Sequence, residues 1–259
     1  MSRVELIFLG TGTSAGIPMI GCGCPVCTSS DPRDRRTRPS AVVCCDARRV
    51  LIDAAPELRL QCVTNGIDDI EAVVITHPHA DHIMGLDDVR RFNTIRGAPL
   101  EVWADRQTHD VLASCFGYAF RAPDPSEEVY RPYLVAREIR QDFDLAGLRW
   151  TPIPLLHGRQ KVLGFRVGNL AYCTDVSAIP EESLRLLGGL DVLVIDGLRF
   201  RPHPTHFTVE QAVNVARLIG AARTYLTHIA HDVPHEPTQR RLPQNVFLAY
   251  DGLRVSVGG

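Results

Sequence analysis

Short apolar runs rich in Val, Ile and Leu recur along the whole chain, each broken within a few residues by polar or turn-forming positions. That spacing suits strands better than long helices. It predicts strands over residues 4–9, 41–46, 50–54, 70–76, 100–104, 148–153, 163–167, 170–174, 190–195 and 224–227, with closing strands inside 245–257 around an Asp251-Gly252 turn. Apolar positions three and four apart predict helices near 56–65, 86–93, 107–120, 180–187 and 208–219. Short links join the early strands and helices join the later ones. This fits an α/β fold of two packed sheets with helices outside better than one doubly wound sheet.

No repeat, linker or low-complexity segment divides residues 1–259, so one domain is expected, with the Pro-, Arg- and Glu-rich stretch 121–140 as an insertion or lid over one end. A hydrophobic fraction of 45% against 22% charged residues describes a chain able to bury a core, which excludes disordered, collagen-like and coiled-coil classes. Apolar runs stop well short of the roughly 20 residues a membrane helix needs, and the opening residues lack a cationic and apolar leader. A cytoplasmic protein without a membrane partner is expected. The net charge of −2 predicts no long nucleic-acid partner. Lys161 is the one lysine among 28 basic side chains, and the arginines that make up the rest suit phosphate.

Candidate chemistry concentrates in Ile75-Thr76-His77-Pro78-His79-Ala80-Asp81-His82, where an apolar strand runs into four potential metal ligands within six residues. His77 and His79 point the same way along an extended chain, and a turn lets Asp81 and His82 face them across a gap wide enough for two cations. Packed this closely, the four groups would repel or lie unpaired without a cation. A polar surface loop is the bland alternative.

The pattern His-x-His-x-Asp-His after an apolar strand resembles the signature of the metallo-β-lactamase superfamily. The resemblance extends to His157, Asp175 and His228, each at a predicted strand end in the expected order. It implies a four-layer αββα sandwich of two mixed sheets. It also implies that His77, His79 and His157 hold one divalent metal, that Asp81, His82 and His228 hold another, and that Asp175 bridges them. Asp53, ending another strand, would orient ligands rather than bind metal. Two cations about 4 Å apart share an ionised hydroxide and neutralise charge on a phosphoryl or carbonyl oxygen, so metal-assisted hydrolysis is the implied reaction, with Asp81 among the catalytic residues. Mixed imidazole and carboxylate donors accept zinc, manganese, iron or nickel.

Gly21-Cys22-Gly23-Cys24-Pro25-Val26-Cys27 places three thiols in a bent loop, the usual wrapping for a structural zinc, with His231 as a reasonable fourth ligand. Three packed, reduced thiols are the alternative. Cys44, Cys45, Cys62, Cys115 and Cys173 lie in apolar segments and read as core. Within the superfamily, Cys-x-Cys-x-x-Cys early and His-x-x-His late resemble the cyclic phosphodiesterases of the carbon-phosphorus lyase pathway. A related cysteine loop occurs in the pyrroloquinoline quinone biosynthesis proteins, whose catalytic ligands are degraded. In the phosphodiesterase branch a histidine placed like His206 acts as general acid or phosphate contact. Here it precedes a Thr208–Gln211 capping box, with His203 as the rival candidate. His109 and His235 read as surface groups, and Gly10-Thr11-Gly12-Thr13 reads as a turn into the cysteine loop whose amides could line the pocket.

The function expected on this basis is dinuclear hydrolysis of a small phosphodiester, with a cyclic ribose phosphate as first choice and attack by a metal-bridging hydroxide. The alternatives are a transfer-RNA 3′ processing ribonuclease, which would need a basic arm that the sequence lacks, a thioester or lactone hydrolase, and a non-catalytic binding module. A homodimer is left open.

Overall fold

The computed structural model describes residues 4–122 and 130–258. Fourteen strands form two seven-stranded mixed sheets. The first sheet contains β1 (Val4–Gly10), β2 (Ser40–Cys45), β3 (Arg48–Ile52), β4 (Ala72–Val74), β5 (Leu100–Ala104), β6 (Leu134–Glu138) and the last strand, β14 (Arg254–Val257). The second contains β7 (Phe143–Leu145), β8 (Leu148–His157), β9 (Gln160–Val167), β10 (Leu170–Cys173), β11 (Val192–Asp196), β12 (Arg223–Thr227) and β13 (Val246–Leu248). Their orders are β14-β1-β2-β3-β4-β5-β6 and β13-β12-β11-β10-β9-β8-β7. Each sheet starts as an antiparallel meander and turns parallel, the first at β3–β4 and the second at β10–β11. The chain ends of these parallel strands form one rim of the sandwich.

Period-two alternation decides which side chains face which layer. In β1, Leu6 and Phe8 enter the core between the sheets, and Ile7 and Leu9 enter the core on the outer face. In β11, Val192 and Val194 face the other sheet, and Leu193 and Ile195 face outward. Two helices, α1 (Leu58–Asn65) and α2 (Ala80–Ile83), supply Leu58, Cys62 and Ile83 to the outer core of the first sheet. α3 (Arg90–Arg96) and α4 (Arg106–Phe116) add Phe92, Leu112 and Phe116 there. A short α5 (Glu181–Leu184) and the longer α6 (Val209–Ile219) cover the second sheet, where α6 buries Val209, Ala212 and Ala216. The predicted capping box at Thr208 and Gln211 starts α6, and Gly220 in the left-handed region ends it. The fold is therefore the expected four-layer αββα sandwich.

Four expectations change. The stretch 121–140 is not wholly an insertion, because Leu134–Glu138 is β6, a polar edge strand parallel to β5, and residues 123–129 lie outside those described. The 245–257 segment is not a hairpin, since β13 joins one sheet and β14 the other. Asp251 makes that crossing by accepting bonds from the amides and hydroxyls of Thr11 and Thr37. Cys115 is exposed and Cys44 only half-buried, while Cys45, Cys62 and Cys173 are buried. His235 is buried rather than superficial. It follows Pro234 at the start of α7 (His235–Gln239), where its amide bonds Asp34 and its Nδ1 accepts from the Arg36 guanidinium at 3.1 Å. His109 sits at the surface, with Nε2 on the Arg137 carbonyl.

The Arg36–His235 contact predicts an acid-sensitive step. Burial and the neighbouring Arg36 lower the His235 imidazole from 6.5 to about 4. Between those values the unfolded chain takes up a proton that the native chain refuses, so stability present above pH 6.5 is lost as pH falls toward 4. His235→Asn keeps an acceptor for Arg36 and cannot titrate, so its melting temperature should decline less than wild type across that window. Parallel declines in thermal melts would remove this contact as a source of acid lability.

Candidate metal centre

The candidate ligands gather along the rim where β3, β4, β8, β10, β11 and β12 end. His77 lies three residues beyond β4, His157 closes β8, Asp175 follows β10 and His228 follows β12. Asp53, Asp175 and His228 all have positive φ, at 59°, 52° and 59°. Among the described residues only two other non-glycine residues do so, Asp46 and Ala146. Backbone held in this sparsely populated region concentrates at functional sites, because turning sharply at the strand end is what aims the side chain inward.

Hydrogen bonds fix the tautomers of three of the candidate ligands, His77, His82 and His157. The Asp53 carboxylate accepts from the Thr76 amide and hydroxyl, each at 2.8 Å, and from His82 Nδ1–H at 2.7 Å. With its own proton committed to Asp53, the Thr76 hydroxyl accepts from His77 Nδ1–H at 3.0 Å. The Thr205 carbonyl accepts from His157 Nδ1–H at 2.8 Å. In all three imidazoles the proton sits on Nδ1 and the Nε2 lone pair faces inward.

The inward atoms lack partners of their own. Nε2 of His77, His82 and His228 is buried without a hydrogen bond. His82 Nε2 lies 3.3 Å from an Asp175 oxygen and 3.5 Å from one of Asp81, and His228 Nε2 lies 3.4 and 3.5 Å from the same two oxygens. Asp175 also reaches His77 Nε2, at 3.7 Å. These separations are long for a hydrogen bond, and a lone pair facing a carboxylate repels it. They match the roughly 3.4 Å between two atoms that each lie about 2.1 Å from a tetrahedral ion. The residues fit cations. One donor group comprises His77, His79, His157 and Asp175, another Asp81, His82 and His228, each with ligand atoms within 4.8 Å of one another.

Charge in this pocket is strongly coupled. Burial alone would raise the Asp175 carboxyl, but positive charge at His228 and His82, the charge a cation supplies when those rings ligate as neutral donors, outweighs it and holds the group well below the carboxylate range. Asp81 is lowered in the same way, with burial overcome by His228 and His82. Burial drives His77 far below its ordinary value, as a neutral ligand requires.

His206 adjoins this centre. Its Nδ1–H donates to Asp196 at 2.5 Å, its ring stacks on His228 at 4.7 Å, and one of its nitrogens lies within 4.8 Å of ligand atoms of Asp175 and His228. Asp196, the last residue of β11, is fully buried and also accepts from the Val176 amide. Asp196 is not among the residues that the metal-ligand spacing singles out. The available signal was an acidic residue closing an apolar strand, the same pattern that marked Asp53 and Asp175. His203 lies beside His206, with ring centroids 5.0 Å apart.

The amides expected to line the pocket are occupied. Thr11 N–H donates to Asp251, Gly12 N–H to the Thr37 carbonyl and Thr13 N–H to the Ile229 carbonyl. A Cβ at Gly10 would come within 2.0 Å of the Arg38 carbonyl oxygen, so close packing of backbone explains this glycine turn.

The turn leads to Cys22, Cys24 and Cys27, whose sulfurs lie 3.3, 3.4 and 3.8 Å from His231 Nδ1. Sulfur and nitrogen on one tetrahedral zinc would be about 3.6 Å apart. The Cys27 amide, the largest influence on the Cys24 thiol, helps lower it to about 6, favouring the thiolate a zinc needs. Cys24→Ser should lower the melting temperature and zinc content more than the intrinsic rate, since a closed zinc site contributes folding free energy. An unchanged melt with unchanged zinc would return the loop to packed thiols.

The comparisons with known proteins agree with this geometry. Residues 48–229 match the beta-lactamase superfamily domain, and the chain belongs to that family, with the metallo-β-lactamase fold. Within it the chain is PhnP-like. A crystal structure of a diphosphatase from the PhnP family superposes with a TM-score of 0.92 at 44% identity, covering 98% of this chain and 97% of that one. An octanoyltransferase of Porphyromonas gingivalis is 39% identical over 98% of this chain, which spans 52% of that protein's length. The zinc-bound PqqB of Methylobacterium extorquens shares the fold, with a TM-score of 0.79 at 20% identity over 97% of this chain and 99% of that one. Family and site together support a metal-dependent hydrolase. No helix among the described residues is long and apolar enough to cross a membrane.

Proposed function

We propose that the chain hydrolyses a small phosphoric diester, a cyclic ribose phosphate in the first place. The observation that carries this reading is the His206–Asp196 pair set against the double donor cluster on a PhnP-like fold. His77, His79 and His157 would hold one divalent metal, Asp81, His82 and His228 the other, with Asp175 between them, and Cys22, Cys24, Cys27 and His231 a structural zinc. When bound, the catalytic pair, zinc or manganese before iron or nickel, supplies positive charge to phosphoryl oxygens and acidifies water.

The chain's own groups do the rest. Asp53 keeps His77 and His82 in the ligating tautomer. Asp81, held ionised, contributes fixed negative charge to the reacting centre rather than a mobile proton. Asp196 holds the His206 Nδ1–H, so the proton delivered to the leaving oxygen is on Nε2.

The diphosphatase neighbour favours a second reading, in which the bond cleaved is a phosphoric anhydride within a diphosphate diester. A panel of cyclic ribose phosphate, a diphosphate diester, bis-nitrophenyl phosphate, nitrophenyl phosphate, an acyl thioester and a transfer-RNA precursor tests both. Turnover confined to diesters or the anhydride is expected. Turnover of the thioester or the RNA alone would overturn them.

A further inference from the structure

Residues 203–206 set three imidazoles at once. The Thr205 amide and hydroxyl approach His203 Nδ1 at 3.3 and 3.1 Å, the Thr205 carbonyl accepts from His157 Nδ1–H, and His206 is fixed by Asp196. An amide N–H can only donate, so His203 Nδ1 carries a lone pair and the proton of the neutral ring is on Nε2. That N–H has no protein partner among the described residues. His203 is half-buried, and burial followed by the neighbouring His206 and Arg199 holds its pKa below the ordinary value, so it is an uncharged donor at neutral pH.

We infer that His203 Nε2–H binds the leaving-group side of the substrate, through an acceptor oxygen two or three bonds from the scissile oxygen. This rests on the phosphoric-diester reading above. The ring lies 5.0 Å from that of His206, the proposed acid for the scissile oxygen, which puts a donor within reach of an oxygen a few bonds further along the leaving group. A vicinal ribose oxygen or a second phosphoryl oxygen qualifies, and the nitro group of a nitrophenyl ester lies too far along the ring. His203 therefore distinguishes leaving groups by an oxygen near the scissile one, whereas His206 acts on the scissile oxygen itself.

Two amides separate this contact from a merely structural role. Asparagine places an acceptor near Nδ1 and keeps the Thr205 contact but loses the outward donor, whereas glutamine places a donor near Nε2. For His203→Asn and His203→Ala, KM for the cyclic ribose phosphate or the diphosphate diester, whichever the wild type turns over, should rise about tenfold with kcat little changed. His203→Gln should recover most of the loss. KM for bis-nitrophenyl phosphate and the metal content of all three variants should stay at wild-type values.

Equal losses on both substrates, with metal lost from the Ala variant and retained in Asn, would make His203 a prop for His157 and overturn the inference. A fall in kcat confined to alkoxide leaving groups would make it the acid instead. If the wild type cleaves no phosphoric diester, the functional reading fails separately. Binding of inorganic phosphate by calorimetry then decides His203, and an affinity unchanged in Asn and Ala removes the contact.

Discussion

Asp175→Ala is expected to lower the rate on every substrate by on the order of 10³-fold or more, the largest effect of any single replacement. Asp175 lies within 3.7 Å of His77 Nε2 and within 3.4 Å of the Nε2 atoms of His82 and His228, so its two oxygens link the donor groups. Without it one cation should be lost or displaced. A cation contributes several kcal/mol of charge stabilisation in the transition state, and about 4 kcal/mol at 1.36 kcal/mol per tenfold gives that factor. Alanine fits the φ of 52° poorly, so Asp175→Asn, which tolerates that backbone and keeps the shape, guards against misfolding. Both variants should keep the circular dichroism of the wild type and carry fewer than its expected three metals by elemental analysis. Near-normal turnover with full metal content in either would remove the two-cation mechanism.

Most of this centre was legible because its ligands end strands. An apolar run that stops at a histidine or aspartate puts a costly polar group at the sheet rim, and His77, His157, Asp175 and His228 are all of this kind. What no pattern could show is the left-handed backbone at Asp53, Asp175 and His228. Nor does spacing along the chain reveal that one carboxylate, Asp53, governs two imidazoles through Thr76. Asp196 also closes an apolar strand, and its role shows only in its bond to His206.

The errors elsewhere share a cause. Leu134–Glu138 looked like a lid because an edge strand carries charge on its open side, as edges do to resist aggregation. His235 stands among Asp232, Pro234 and Glu236, a surface composition, yet Arg36 arrives from 199 positions away to bury it. The Asp251-Gly252 turn was visible, but its direction depends on Thr11 and Thr37 at the far end of the chain. In each case a local pattern was overruled by a partner distant in sequence.

His206→Ala should divide substrates by leaving group. Alkoxide departure from a cyclic ribose phosphate needs a proton as the bond breaks, and general acid catalysis is worth roughly 10²- to 10⁴-fold. Nitrophenolate is a stable anion and needs it far less. The variant should therefore lose on the order of 10²-fold or more on the cyclic ribose phosphate and only a few-fold on bis-nitrophenyl phosphate. A diphosphate diester, whose leaving group is a phosphate, should fall between. Asp196→Asn should show the same ranking with smaller losses, because the imidazole keeps its place but loses the carboxylate that sets its tautomer. Metal content should hold in both variants if His206 serves as acid, since seven other ligands remain. Its nitrogen lies within 4.8 Å of ligand atoms of Asp175 and His228, so loss of metal in His206→Ala would recast it as a ligand. Equal losses on all three substrates with metal intact would make it a phosphate contact, and no loss on any would strip it of a role in the reaction.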